Sequence, residues 1–456
     1  MSMLARLSYS YRDRYLLTAS IRSDRSSRFG RNRQTGVFPS VSVGWRIQEE
    51  PFMQPVRGFL SELKLRTSYG VTGNFQIPNY ASISLLDQAN YVVGNQVVLG
   101  AAPATLGDEN LTWETTRQFN LGLDVGLLAD RIYFTAEFYN SITEDLLLYV
   151  NVPTALGYES ALTNIGKVRN RGFEFSLTSR NLVGAFTWET DFNLSVNRNK
   201  VLALGPDDAP IYTLNIAGLR YVTQVGAPIG SYYGFVVEGI YQSEEEIAQA
   251  PVDRLAPNPG PGDFRFKDID GDGDVDNDDR TVIGSYFPDY TFGITNRFGY
   301  KNFDLAIFIQ GVQGNEILNL TSRHLKNGEA NFNSYAIFNE RWRSPENPGN
   351  GKVPRADRQS DLHGNNNRPS TFQVEDGSYV RLRSVTLGYT LPERLLGRHL
   401  SQARIYLSAT NLFTWTNYLG FNPEVSMRAE SALTPGLDYG TYPLARTYTL
   451  GVSLTF

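Results

Sequence analysis

Cysteine is absent from all 456 residues, and histidine occurs only three times. The first absence excludes thiol nucleophiles, disulfide frameworks and zinc-cysteine sites. The second leaves His324, His363 and His399, scattered over loops and a turn, with no serine-nucleophile or phosphate-loop motif beside them. Catalysis has no geometric starting point in such a set, and no enzyme is expected. No stretch reaches the roughly 18 consecutive apolar residues that read as a membrane helix. Positive charge is not in excess: 42 Lys and Arg face 47 Asp and Glu, for a net charge of −5 and a pI near 5.5. A nucleic-acid binder would carry a basic footprint, so none is expected here. The opening "MSMLARLSYS" has no apolar core and no cleavage site of a secretory signal.

Aromatic residues and glycine are what the chain has in quantity. It holds 26 Tyr, 26 Phe, 5 Trp and 41 Gly. Such a mixture suits β-strands joined by tight turns. Strict alternation follows along the chain. At the C-terminus Tyr448, Leu450, Val452, Leu454 and Phe456 share one face, and Thr449, Gly451, Ser453 and Thr455 the other. Phe186, Trp188, Phe192, Leu194 and Val196 alternate with Glu189, Asp191, Asn193 and Ser195. Phe119 to Leu127, Phe303 to Gln310 and Ile405 to Ala409 repeat the pattern. Further strands are expected over Met3–Tyr11, Tyr15–Arg22, Val37–Ile47, Leu60–Val71, Arg131–Asn140, Arg169–Thr178, Tyr290–Tyr300 and Tyr379–Leu391. The last shifts phase after Leu382, which predicts a bulge. The total is about thirteen strands, many of the length that crosses a bilayer at a tilt.

Connections alternate between short and long. "YRDR", "LADR", "NLVG" and "YKN" are tight; Thr72–Glu114, Ser141–Val168, Asn199–Asp289, Val312–Ser378 and Leu412–Leu444 are long. Short turns at one end and long loops at the other are the pattern of outer-membrane barrels. The fold class expected is therefore all-β, a transmembrane antiparallel barrel, with apolar faces on outer-membrane lipid and Asp191, Glu189 and Arg171 in a hydrated lumen. A large soluble β-protein is the bland alternative, but a propeller would show a fixed internal period, and none is seen. An odd number of strands cannot close in lipid without leaving bare edges. That count, with the leaderless start, predicts a C-terminal piece of a longer protein that does not form a closed pore by itself.

Several long motifs resemble one family. "YSYRDRYLLTASIRSDRSSRFG", "FPSVSVGWRIQEEPFM", "LRTSYGVTGN" and "NIGKVRNRGFEFSL" resemble SusC/RagA-type TonB-dependent outer-membrane transporters. So do "IGSYYGFVVEGIYQSEEEI", "GDFRFKDIDGDGDVDNDDRTVIG", "GSYVRLRSVTLGYTLP" and "IYLSATNLFTWTNYLGFNPE". The resemblance covers the whole chain in order. It implies that residues 1–456 are the C-terminal part, about thirteen strands, of a barrel of about 22 strands, with the plug, the TonB box and the first strands missing. It also implies uptake of oligosaccharides or peptides across the outer membrane of Bacteroidota. The implied partners are a SusD-like surface lipoprotein and, through the missing N-terminal region, the TonB–ExbB–ExbD complex. A calcium-stabilised surface receptor or adhesin barrel without transport stays open as the alternative.

Inside the expected extracellular loop 199–289 lies "DIDGDGDVDNDD", residues 268–279, with seven aspartates in one turn. So many like charges repel unless a cation answers them. The spacing fits a calcium-loop template at every position but the last. Asp268, Asp270 and Asp272 stand at one, three and five, and Gly273 at six. Asp274 at seven would offer its backbone carbonyl, Asp276 stands at nine, and Asp279 replaces the usual Glu at twelve. A structural Ca²⁺ ion that stiffens the loop is expected; a solvated acidic turn held by Asx hydrogen bonds is the plain alternative. The aromatic pairs Tyr232–Tyr233 and Trp415–Tyr418, with Trp342, could stack on sugar rings, but packing and interface roles are favoured.

Overall fold

Alternating side chains demand a sheet with two unlike faces, and thirteen strands in chain order make one. They are β1 (Ser2–Tyr11), β2 (Tyr15–Arg25), β3 (Thr35–Arg46), β4 (Leu60–Asn74), β5 (Glu114–Leu127), β6 (Ile132–Glu144) and β7 (Lys167–Leu182). After them come β8 (Phe186–Ala203), β9 (Tyr290–Tyr300), β10 (Phe303–Gln313), β11 (Tyr379–Thr390), β12 (Gln402–Thr416) and β13 (Thr447–Thr455). The computed structural model describes residues 1–152, 155, 157–158, 160–216, 218–326, 328, 333–396, 400–427 and 431–456. Contacts divide the chain into two compact units. The first is Met1–Ile211 with Gln224–Gly226 and Phe292–Ala306; the second is Tyr212–Thr223, Ala227–Thr291 and Ile307–Phe456.

In the first unit, β1 to β8 pair antiparallel, neighbour to neighbour. The registers bring like side chains into line. Tyr9, Leu17, Val43, Thr67, Leu121, Phe138, Phe173 and Val196 form one row across eight strands. Most of this row is exposed, and Phe138 and Phe173 touch at 5.2 Å between ring centroids. The adjacent row points to the other face and reads Ser10, Leu16, Gly44, Arg66, Gly122, Glu137, Glu174 and Ser195. There Arg66 reaches over Gly122 to place Nη2 2.7 Å from Glu137 Oε2, and its Nε is 3.3 Å from Asp124. A Cβ on Gly122 would stand 2.6 Å from the Arg66 guanidinium carbon, so glycine is what lets the ion pair cross the strand. Asp191 and Glu189 pair with Arg297 on the same kind of face. Arg171, expected with them, instead shares the face of Phe173 and Phe175, because the strand alternates without a shift between them. Charges cluster on one side and large apolar groups lie bare on the other, the reverse of a protein folded in water.

The second unit repeats the rule in β11, β12 and β13. Leu387, Leu407 and Leu450 form an exposed row, and Thr386, Ser408 and Thr449 the polar row beside it. The phase change expected after Leu382 is a register shift between Leu382 and Ser384.

The long connections are not loose. In the first unit, Phe29, Phe38, Ile77, Leu111, Trp113 and Leu162 bury one another. In the second, residues from the connections that follow β8, β10 and β12 share cores. Leu219, Tyr221, Tyr232, Ile283, Leu318, Leu320 and Leu437 form one; Phe235, Ile240, Phe264, Phe266, Val275 and Trp342 form another. Backbone pairing ties them: Leu318 lies parallel to Leu437, and the Tyr221 hydroxyl donates to the Pro435 carbonyl at 3.1 Å. We call this assembly the loop domain. One hairpin in the first unit, Leu85–Val93 with Gln96–Thr105, was not expected. It turns at Gly94 and Asn95, both at positive φ (57° and 64°), the two-residue geometry that matches strand twist.

The face assignment gives a direct expectation. Leu123→Arg places a cation on the apolar face, two residues along β5 from Leu121, and should cost about 2–4 kcal/mol near the bilayer midplane. Asn193→Arg, on the polar face, should cost far less. Unfolding in lipid with urea measures both; equal losses would show that the faces are wrongly assigned.

Candidate metal centre

The acidic turn hangs from the loop domain by an apolar anchor. Val275 is 2% exposed and packs in the core with Phe264 and Phe266. Asp274 and Val275 run parallel to Val252 and Asp253, which fixes the middle of the turn. Gly271 and Gly273 adopt φ of 79° and 93°, a backbone that a side chain would strain. Asp279 is buried and closes the turn from behind: its Oδ1 accepts from the Ile269 amide at 2.6 Å and its Oδ2 from the Asp276 amide at 2.7 Å.

Within this frame three carboxylates converge. Asp268, Asp270 and Asp279 bring one oxygen each within 4.8 Å of one another. Asp268 also accepts from the Gly271 and Gly273 amides at 2.6 and 3.0 Å, which aims its carboxylate inward. Asp272 and Asp276 are not in this group. Each accepts from an amide two residues on, Asp274 and Asp278, at 2.8 Å. The Asp274 side chain is held by Arg254 Nη2 at 2.8 Å, so only its carbonyl is left to play the part expected of position seven. The Asp272 amide pulls the Asp270 carboxyl down most. Desolvation and the charges of Asp272, Asp279 and Asp268 together outweigh that pull, and the net shift is upward. Oxygen-only donors, a glycine at the sharp bend and crowded negative charge fit a hard divalent cation such as Ca²⁺.

Asp263, just before the turn, serves a different purpose. It is fully buried and takes a two-pronged ion pair from Arg355 at 2.8 and 2.9 Å. Asn366 Nδ2 donates to it as well at 2.8 Å. Sequence spacing could not reveal this pair, because the partners are 92 residues apart.

The remaining sequence candidates separate cleanly. His363 Nδ1 lies 2.5 Å from Asp357, His324 sits in the short helix Ser322–Leu325, and His399 is outside the described residues. Tyr232 is completely buried and donates to the Glu316 carbonyl at 2.8 Å. Trp342 is buried with its Nε1 donating to Gln242 at 3.0 Å. Tyr418 is buried and donates to Asp438. These are packing aromatics. Trp415, 59% exposed at the end of β12, stands where barrels carry interfacial rings.

Strands of 9 to 18 residues with bare apolar faces, polar opposite faces and long ordered connections define an outer-membrane β-barrel protein. The chain belongs to the TonB dependent receptor-like, beta-barrel family, whose description matches residues 4–310. It is 39% identical to TonB-dependent receptor P3 of Formosa agariphila, over 100% of this chain and 45% of that protein. It is 30% identical to TonB-dependent receptor SusC of Bacteroides thetaiotaomicron, over 100% of this chain and 43% of that one. Its backbone matches a chain of the RagAB peptide transporter with a TM-score of 0.82 and 27% identity, covering 100% of this chain and 47% of that chain. The chain thus spans less than half the length of the relatives it matches.

Buried phenols make the loop domain sensitive to alkali. Burial, then the bond to Asp438, pushes the Tyr418 hydroxyl far above its ordinary value, and burial does the same at Tyr232. The folded pKa values lie above the unfolded value of about 10, so the stability held by the neutral phenols is complete below about pH 10 and lost as pH rises beyond it. Proteolysis of the loop domain should therefore accelerate between about pH 10 and 11. Tyr418→Phe should reduce that acceleration; an unchanged profile would mean that Tyr418 titrates outside the core.

Proposed function

We propose that this chain is the C-terminal barrel portion of a TonB-dependent importer of oligomeric nutrients. The observation that carries the reading is the combination of a lipid-facing sheet with long connections that fold into their own buried cores. A passive pore needs no such domain. A receptor that must hold a large solute and present a surface to a second protein does. The similarity of the entire chain to SusC, and of its backbone to the RagAB transporter, supports the same reading. Oligosaccharides or peptides are the substrates proposed, a SusD-like surface lipoprotein the partner on the loop domain, and TonB–ExbB–ExbD the source of energy. Growth separates this from an adhesin. Cells lacking the receptor that carries this chain should fail to grow on an oligomer while growing on its monomer, and cells lacking TonB should fail in the same way. Growth on every oligomer without the receptor removes the importer reading.

The acidic turn is proposed to hold calcium through Asp268, Asp270 and Asp279, with the Asp274 carbonyl completing the near side. Asp272 and Asp276 would need to exchange their amide bonds for the ion. Extracellular sites of this class bind at about 10⁻⁴–10⁻³ M. Calorimetry on the intact receptor should show calcium-dependent heat that Asp270→Ala removes, while barrel assembly is unchanged. In chelator, the loop should become more open as pH rises through the raised Asp270 pKa, because its stability resides in the protonated form. With calcium present that dependence should vanish. No calcium-dependent heat would return the stretch to a solvated turn.

A further inference from the structure

One face of the loop domain carries positive charge that no carboxylate among the described residues answers. A four-stranded sheet is built from Ile211–Ile216, Leu219–Thr223, Ser231–Gly234 and Thr281–Gly284. Leu219, Tyr221, Tyr232 and Ile283 send their side chains into the core. Alternation sends Arg220 and Tyr233 the other way, and the two are register partners. The Tyr212 ring lies 5.2 Å from that of Tyr233, tilted by 53°, and Tyr212 is 37% exposed. Arg280 enters from the next strand and lays its guanidinium over Phe235 at 5.1 Å.

Among the described residues, neither Arg220 nor Arg280 has a carboxylate in ion-pair contact. Arg280 Nε is shut off from water and has no hydrogen-bond partner. Stacking on Phe235 explains where Arg280 lies but supplies no negative charge. Arg368, which also stacks on Phe235, is neutralised by Asp253. Burial first, then the charges of Arg220 and Arg368, pull the Arg280 guanidinium below its ordinary value. A half-buried pair of cations without counter-charge is costly, and an anion placed between them would relieve that cost.

We propose that this face is a subsite for the carboxylate of an acidic oligosaccharide. Arg220 and Arg280 offer forked donors to the carboxylate, and the exposed Tyr212 ring, propped at a tilt against Tyr233, offers its face to the C–H side of a pyranose. Tyr233, pushed up to about 12 by burial and its bond to Tyr212, keeps its hydroxyl proton at neutral pH. An acidic peptide also carries carboxylates, but the ring pair beside the cations favours a sugar. The inference rests on the importer reading for the kind of oligomer that reaches this face.

Equilibrium binding tests it without energised transport. The intact receptor in detergent is titrated with oligogalacturonate, with a neutral oligosaccharide of equal length, and with an acidic peptide. Oligogalacturonate should bind best, and Arg220→Gln should weaken it about tenfold, the loss of one charge-assisted contact. Tyr212→Ala should weaken it as well, while Arg220→Gln leaves binding of the neutral oligomer unchanged. Arg280→Ala risks unsettling the Phe235 core, so Arg220→Gln and Tyr212→Ala carry the test, with unchanged loop proteolysis as the check on folding. Equal binding of acidic and neutral oligomers, binding of the peptide alone, or an Arg220→Gln variant that binds as well as the parent would each overturn the inference. TonB-dependent growth on neutral oligomers would survive that failure. Loss of TonB dependence with binding retained would instead remove the importer reading alone.

Discussion

Backbone amides and carbonyls in hydrocarbon have no partner but each other. That constraint organises everything else in this chain. It forces neighbouring strands into continuous ladders, and the ladders in turn fix which side chains share a row. Once Leu17, Val43, Leu121 and Phe173 are in one row, the next row has no choice but to hold Arg66, Gly122 and Glu137. The apolar rows gain by facing lipid. The polar rows keep their charges because a hydrated interior and an opposite charge are both within reach, as Arg66 finds in Asp124 and Glu137.

Water takes over where the ladders end, and ordinary burial returns. Tyr221, Tyr232, Phe235 and Phe264 are almost fully enclosed there. The acidic turn depends on that change of solvent. Val275 holds it down, Asp279 closes it through two amides, and the remaining carboxylates face outward in a medium that screens them. A turn of this composition inside the bilayer would not be viable.

The sheet was largely legible in the sequence because period-two alternation survives wherever one face meets lipid. Tyr290–Tyr300 has the expected bounds, and the phase change at Leu382 is a real irregularity of the ladder. Other strands run further than expected. β4 continues to Asn74 and β8 to Ala203, because polar alternation above the membrane carries no apolar signal. The hairpin around Gly94 and Asn95 had a readable turn but only one charged residue in its flanks and little alternation. The loop domain was illegible for a different reason. Its described strands are two to six residues long, too short for a period, and several of their partners lie far away in the sequence. Of the acidic turn, spacing named the residues, while only the structure shows that the carboxylates of Asp268, Asp270 and Asp279 converge and those of Asp272 and Asp276 stay apart from them.

The reach of those loop contacts has a bearing on how the protein is made. One core joins Leu219 and Tyr232 to Leu318 and then to Leu437, and the Tyr221–Pro435 bond spans 214 residues. Loops that close over such distances form late, after the entropy of the intervening chain has been overcome. A chain arriving from its N-terminus therefore presents Leu219, Tyr221 and Tyr232 to water for the whole time that β9 to β12 are being placed. During that interval these three side chains are the natural targets for periplasmic chaperones and proteases. The arrival of Leu437 withdraws them, so the state of one small core reports whether the loop domain has closed.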